Sequence, residues 1–512
     1  MVHARAAVPA LRRIHLFYVE IATDAGSVET PTNDRRDNVL RTRELAHALD
    51  HGGADSLKGI QAGVRPARAS PREESMTTVT RRTVLKSGTA LAGGIAGILA
   101  TGRAPAFAQG TTVHWLRWND FVPASDQLLR KELLPAAEKA LGIKINLETV
   151  NGNDLQPRIT SAIQSGAGPD IIMLFNNHPQ IYSESVVDLS DLASGVSKAE
   201  GGYYDLCKSN SADGQKWIAL PWTIVGAMIA YRKSWFDEIG SPTFPDTWEK
   251  YREVGKKLKA MGRPIGQTLG HTFGDAPTFS YPYLWSWGGT EIEKDGKTVN
   301  INKKEVIDSV KFMTAFWKEA HDEGGLAWDD TNNNRAFLSQ TICATLNGAS
   351  IYIESLRNPD KYITEKGAQL KTDIQHAPLP KGPAGQFAMH TYFSHVIPNY
   401  SKNQAGAKEL LKWIHTKANY EPWFVSQKGF ATPPTHEWEK HKLWDEDKVM
   451  APFKVAGLLG QTPGYPLPSS GKKAAEVLTK YIITDMYAKA VQGGTAEDAV
   501  KWAEGELTKV YA

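Results

Sequence analysis

From Thr111 onward the chain alternates between two apolar periods. "TTVHWLRW" is a short apolar strand, and "IKINLETV" sets Ile143, Ile145 and Leu147 against Lys144, Asn146 and Glu148, the period of two of a half-buried strand. Between them "DQLLRKELLPAAEKAL" has helical spacing. "LQPRITSAIQSGAGPDIIMLF" then predicts a helix closed by Gly166 and Gly168, followed by an apolar strand from Ile171 to Phe175. Strand, helix, strand, helix, strand predicts an α/β architecture around a mostly parallel sheet.

The pattern continues to the end of the chain. "WIALPWTIVGAMIAYRK" is apolar and rich in strand formers, and "TWEKYREVGKKLKAMG" is an amphipathic helix ending at Gly262. "KKEVIDSVKFMTAFWKEA" puts Val306, Val310, Met313 and Trp317 on one helical face. "TICATLNG" alternates as a strand and "KNQAGAKELLKWIH" is a further helix. In "GGTAEDAVKWAEGEL", Thr495 and Asp498 have a capping-box-like spacing, and Ala499, Val500, Ala503 and Leu507 face inward.

Upstream the grammar differs. Arg81 and Arg82 in "TRRTVLK" precede the small, uncharged run "SGTALAGGIAGILA", then Pro105 and the small-x-small site Ala106, Phe107, Ala108. This order predicts an export signal over 76–108, similar to the twin-arginine type, cleaved after Ala108; the run is too short and glycine-rich for a permanent span. Residues 1–75 are rich in Arg and Ala without sustained apolar periodicity, and read as disordered or as an over-extended gene start, with translation from Met76.

Cleavage leaves about 400 residues, room for two lobes. The whole chain carries a net charge of +3, but residues 1–108 hold 15 Lys plus Arg against 10 Asp plus Glu, so the remainder is slightly acidic. That balance argues against a nucleic-acid partner. Two cysteines, Cys207 and Cys343, exclude a thiolate metal cluster and leave pairing open. All 15 tryptophans follow Gln109, which suits both a large core and a cleft that stacks on sugar rings. Neither G-x-S-x-G nor a phosphate-binding loop is present. In "HEWEKH", His436 and His441 are five apart and miss the geometry of a helical zinc pair. A glycosidase would need two carboxylates on different loops, and the adjacent Asp329 and Asp330 diverge in most backbones.

The order of "GPDIIMLF", "DGQKWIALPW", "MIAYRKSWFDEIG", "FPDTWEKYREVGKKL", "LWSWGGTEI", "RAFLSQTICATLNG", "HAPLPKGPAGQ" and "SHVIPNYSKNQAGAKELLKWI" resembles the extracellular solute-binding proteins of bacterial ABC importers, family 1, which bind sugars, oligosaccharides and polyols. The resemblance implies a two-lobed α/β periplasmic-binding-protein fold, type II and maltose-binding-protein-like, with a hinge and an interlobe cleft. It places lobe one at 110–225 plus 393–440 and lobe two at 226–392 plus 441–512. It implies a non-catalytic periplasmic monomer without cofactor or metal, whose partners are a sugar or polyol-like solute and a membrane permease. A secreted glycoside hydrolase, or a polyamine or peptide binder on the same fold, is the alternative.

Candidate ligand residues follow from strand ends and from this resemblance. Trp118, Asn119 and Asp120 follow the first strand, where Asn119 or Asp120 could equally cap a helix. Asn176 and Asn177 follow the third, with turn formation as the competing role. Trp222 approaches the first lobe crossing and serves either cleft or hinge packing. Asp275, Trp285 and Trp287 lie in "DAPTFSYPYLWSWGG", where a helix would put at most one tryptophan in the cleft. Asn333, Asn334 and Arg335 could fix hydroxyls or open a helix. Asn347 follows a strand, but Ala349 and Ser350 stand where many sugar binders carry a tryptophan. His390 and Thr391 precede the return crossing.

Overall fold

The computed structural model describes residues 110–467 and 471–512. The segment 1–75, the signal with Arg81 and Arg82, and the cleavage site after Ala108 lie outside the described residues. The apolar runs become nine principal strands: β1 (Thr112–Trp118), β2 (Lys144–Val150), β3 (Ile171–Phe175), β4 (Leu220–Val225), β5 (Met228–Arg232), β6 (Ala344–Asn347), β7 (Ile374–Ala377), β8 (Thr391–Val396) and β9 (Ala431–Thr432). Between β1 and β2 the segment 123–141 is helical, with a π-helical stretch at Leu129–Leu133. Pro135 follows, and its missing N–H interrupts the regular ladder there. Helix α1 (Gly152–Ser165) starts where the Asn151 side chain accepts the Asn153 N–H, and ends at Gly166 in the left-handed region.

Two sheets result. The first runs β9-β4-β8-β3-β1-β2 and the second β6-β5-β7. Only β1/β2 and β1/β3 are parallel; β8 is antiparallel to both β3 and β4, β9 to β4, and the second sheet is antiparallel throughout. The expectation of a mostly parallel sheet is therefore corrected. β8 arrives from the second sheet and inserts between β3 and β4, which reverses its direction relative to a strand fed by a local crossover helix.

The chain leaves the first sheet through Gly226 and Ala227, between β4 and β5, and returns just before Thr391. These crossings lie side by side: Val225 pairs with Thr391, and the Ala227 N–H donates to His390 Nδ1 at 3.0 Å. Burial keeps that imidazole neutral by lowering its pKa to about 4.

Helices α2 (Trp248–Ala260), α3 (Asp275–Ser286) and α4 (Lys304–Ala320) cover the second sheet's side, with α5 (Asn332–Leu338) and α6 (Ser350–Arg357) flanking β6. Val306, Val310, Met313 and Trp317 of α4 are buried, and each aliphatic side chain so placed contributes about 1.5–3 kcal/mol. Helix α7 (Gln404–Ile414) packs on the first sheet's side, and α8 (Ile482–Val491) and α9 (Ala496–Tyr511) complete the second core. Thr495 caps α9 by accepting the Asp498 N–H, and Ala499, Val500, Ala503 and Leu507 face inward.

The cysteines are unpaired and buried, Cys207 against Ile224 and Tyr392 of the first sheet and Cys343 in the second core. Burial raises both thiol pKa values. Among the described residues no helix is long and apolar enough to cross a membrane.

Candidate functional site

Loops from both sheets meet over the crossings. β1 ends in Trp118, β3 in Phe175, β8 carries Phe393, and Phe430 precedes β9. From the other side Phe273, in the loop before α3, reaches across. Its ring stacks on Phe175 (centroids 4.2 Å apart, 17° between planes) and meets Trp118 edge-on at 5.6 Å. Its N–H donates to Asn153 Oδ1 at 3.1 Å. Trp118 also packs against Phe121, Phe393 and Phe430. Two adjoining cavities share Trp118, Phe121, Phe273 and Asp330. One, of about 30 Å³, also takes in Asp275, Thr278, Asn347, Ser350 and Thr391. The other, of about 210 Å³, adds Asn119, Asp120, Asn153, Asp329 and Thr331.

The acidic groups divide into two kinds. Asp120 is a structural carboxylate: it accepts from the Val122 N–H (2.9 Å), Ser125 Oγ (2.7 Å) and Gln427 Nε2 (2.7 Å), with Arg117 at 3.4 Å. Asp275 and Asp330 lie together, and among the described residues no lysine or arginine lines the cavities beside them. The Asp275 N–H donates to Asp330 Oδ1 at 2.7 Å, Asn333 Nδ2 donates to Asp275 Oδ2 at 2.5 Å, and Asp330 Oδ2 has no partner. Burial, then repulsion from Asp330, pushes the Asp275 carboxyl well above the usual range; burial pushes Asp330 up as well.

Trp118, Asn119, Asp275 and Asn347 thus come together around the cavities, as do Thr391 and Asp120, although the Asp120 carboxylate already holds the chain that enters the first helical segment. Asn347 donates to Asn334 Oδ1 at 2.6 Å, and Asn334 donates to Ser350 Oγ at 2.9 Å. Asn333 is fully buried and holds Asp275 and the Leu346 carbonyl in place. Asn176 turns the chain at φ 45°, accepts the Tyr392 N–H and donates to the Phe273 carbonyl at 3.4 Å. Arg335 donates to Thr331 Oγ1 rather than entering either cavity. Like Asn176, Asn333, Asn334 and Arg335, the candidates Asn177, Trp222, Trp285 and Trp287 line neither cavity. Asn177 is fully buried beside that turn and lines neither cavity. Trp222 is a core residue, its ring enclosed by Trp115, His395, His415, Tyr420 and Trp423. α3 turns Trp285 onto Tyr281 and Tyr465, and Trp287 beyond its end packs on Phe312, so neither tryptophan reaches the cavities.

Sequence reasoning missed Phe273, Phe393, Phe430 and Asp330. Adjacent carboxylates do diverge here: Asp329 accepts the Thr331 N–H and hydroxyl, while Asp330 turns inward to Asp275. Only the distant partner was invisible. His436 and His441 pair separately with Glu439 and Glu421, and among the described residues no His, Cys, Asp and Glu group could hold a metal.

Gly152 sets the approach of Phe273, because a Cβ there would lie 2.3 Å from the ring. Gly152→Val is expected to displace Phe273 from Phe175, losing an aromatic pair worth about 0.5–1.5 kcal/mol. Small-angle X-ray scattering of solute-free protein should show a larger radius of gyration; an unchanged radius would show that Phe273 does not hold the two sides together.

Residues 123–421 match the family model described as bacterial extracellular solute-binding protein. The diacetylchitobiose binding protein DasA of Streptomyces coelicolor is 27% identical over 384 residues, 72% of this chain and 83% of that protein. A probable ABC transporter-binding protein of Deinococcus radiodurans is 20% identical, over 67% of this chain and 80% of its own length. Among solved structures, maltose-bound MalE3 of T. maritima superposes with a TM-score of 0.66 at 20% identity, over 78% of this chain and all of that one. A solute-binding protein of Thermotoga lettingae bound with α-D-tagatose gives 0.67 at 17%, over 79% and 100%. The fold is that of the maltose-binding-protein-like solute-binding proteins, two-lobed and α/β.

Proposed function

Because this chain belongs to the bacterial extracellular solute-binding protein family, we propose that it captures a sugar or polyol-like solute in the cleft between its two sheets and delivers it to an ABC permease. The observation that carries this reading is the pair of cavities at the ends of β1 and β4 and the start of β8, where flat aromatic surface from Trp118 and Phe273 adjoins Asn119, Asn153, Asn347 and Asp275. Ring C–H faces stack on the first kind of surface and hydroxyls bond to the second. The open ends of α/β sheets are habitual binding places.

Lobe one then comprises 110–225 plus 393–440 and lobe two 226–392 plus 441–512, a division supported by sheet membership up to Thr432 except that Thr391 and Tyr392 pair with the first sheet. Solute that touches both lobes binds the closed form more tightly and shifts the population toward it. The protein works outside the cytoplasm, in the periplasm, as a monomer, and leaves by the signal around Arg81 and Arg82. The N-terminal sequence of exported protein should begin at Gln109.

A thermal-shift screen of the purified protein against monosaccharides, polyols, oligosaccharides and polyamines tests the reading, with products checked by chromatography. A saturable rise in Tm of several degrees with a sugar or polyol, without product, is expected, since a ligand of the native state stabilises it. Trp118→Ala should reduce that rise while leaving the unliganded protein folded. Turnover of a glycoside, or no shift with any sugar or polyol, would overturn it.

A further inference from the structure

The chemistry of the cleft is more restrictive than hydroxyl recognition requires. Asp275, half-buried, and Asp330, buried, form a carboxylate pair, and no lysine or arginine lines either cavity among the described residues. Asp330 is 4% exposed, belongs to the wall of both cavities, and keeps Oδ2 without a hydrogen-bond partner, whereas its Oδ1 is occupied by the Asp275 N–H. Asp329 adds a third carboxylate at the edge of the larger cavity. A buried charge without counter-charge costs far more than a buried dipole, and a buried acceptor left open costs its full desolvation. A neutral hydroxyl can donate to Asp330 Oδ2, but it leaves the pair's negative charge without a counter-charge.

The remaining walls favour the same kind of group. Trp118, Phe121, Phe273 and Phe393 border the smaller cavity, and the faces of aromatic rings carry the negative end of their quadrupole. Carboxylates and ring faces together match a cation, while Asn119, Asn153 and Thr331 in the larger cavity offer partners to hydroxyls.

We propose that the solute of this cleft carries a protonated amine on a hydroxylated skeleton, an amino sugar or amino polyol, with the ammonium seated between Asp275 and Asp330 and against the aromatic walls. The inference rests on the cleft being the solute site. Ammonium donates to Asp330 Oδ2 and neutralises the pair, and charge-assisted bonds of this type are about twice as strong as neutral ones.

Matched ligands isolate the charge. Isothermal titration would compare glucosamine with glucose, glucamine with sorbitol, and chitobiose, with its two free amines, with cellobiose. In at least one pair the amine is expected to bind tenfold or more tightly than its neutral counterpart. Asp330→Asn, checked for folding by its melting temperature, should bring that ratio within threefold; if the variant does not fold, the wild-type ratio decides alone. Less than a tenfold preference for the amine in every pair overturns the inference and leaves the sugar-or-polyol reading standing. No binding by any of the six overturns the inference, and spermidine binding more tightly than all of them overturns the sugar-or-polyol reading with it.

Discussion

Trp222→Ala is expected to destabilise the native state by about 3–5 kcal/mol while leaving solute affinity within about threefold of wild type. The indole is fully buried and touches five other rings, from Trp423 at 4.5 Å to Trp115 at 6.5 Å, and the Tyr420 hydroxyl donates to the Trp222 carbonyl at 2.7 Å. Truncation removes the transfer energy of the ring and leaves a cavity that His395, His415 and Tyr420 are too well packed to close. Equilibrium denaturation measures the first part and titration of the folded variant with its solute the second. Near-normal stability with lost binding would return Trp222 to the cleft.

The second large effect depends on pH. Glu291 is fully buried, with Oε2 accepting from the Tyr511 hydroxyl at 3.1 Å and Oε1 from the Gly464 N–H at 3.3 Å. Burial raises its pKa from 4.5 to about 7. The unfolded chain therefore loses this proton first as pH rises. Its stabilising contribution is fully present below about pH 4.5 and is lost as pH rises toward 7, where the folded carboxyl also ionises, a fall of about 3 kcal/mol. Glu291→Gln, which mimics the neutral acid, should lack this component. Denaturant melts at four pH values between 4.5 and 7.5 test it: equal slopes for variant and wild type would show that Glu291 does not titrate in that window.

The contrast between these residues shows what a sequence carries. Local periodicity made β2, α4 and α9 legible, because Ile143 just before β2, Val310 and Leu507 are buried by the same spacing that is visible in one dimension. Strand direction was not legible, since β8 is placed by a return from the second sheet rather than by its own residues. At the site, Trp118 could be found as a strand end next to polar residues, and Asp275 as the carboxylate that opens an aromatic-rich run. Phe273 could not, because its value lies in crossing to Phe175 and in Gly152 leaving room for it. Trp285 was misplaced for the opposite reason: an aromatic-rich run suggested a platform, but α3 aims that ring at Tyr281 and Tyr465.

The two unpaired cysteines have a use beyond packing. Cys207 is sealed beside the first sheet and Cys343 inside the second core, and each thiol reacts only when its own surroundings open. The native chain thus carries one chemical clock in each half. Labelling both with a thiol reagent, and reading the two peptides separately by mass, times the opening of each half without a label that had to be engineered in.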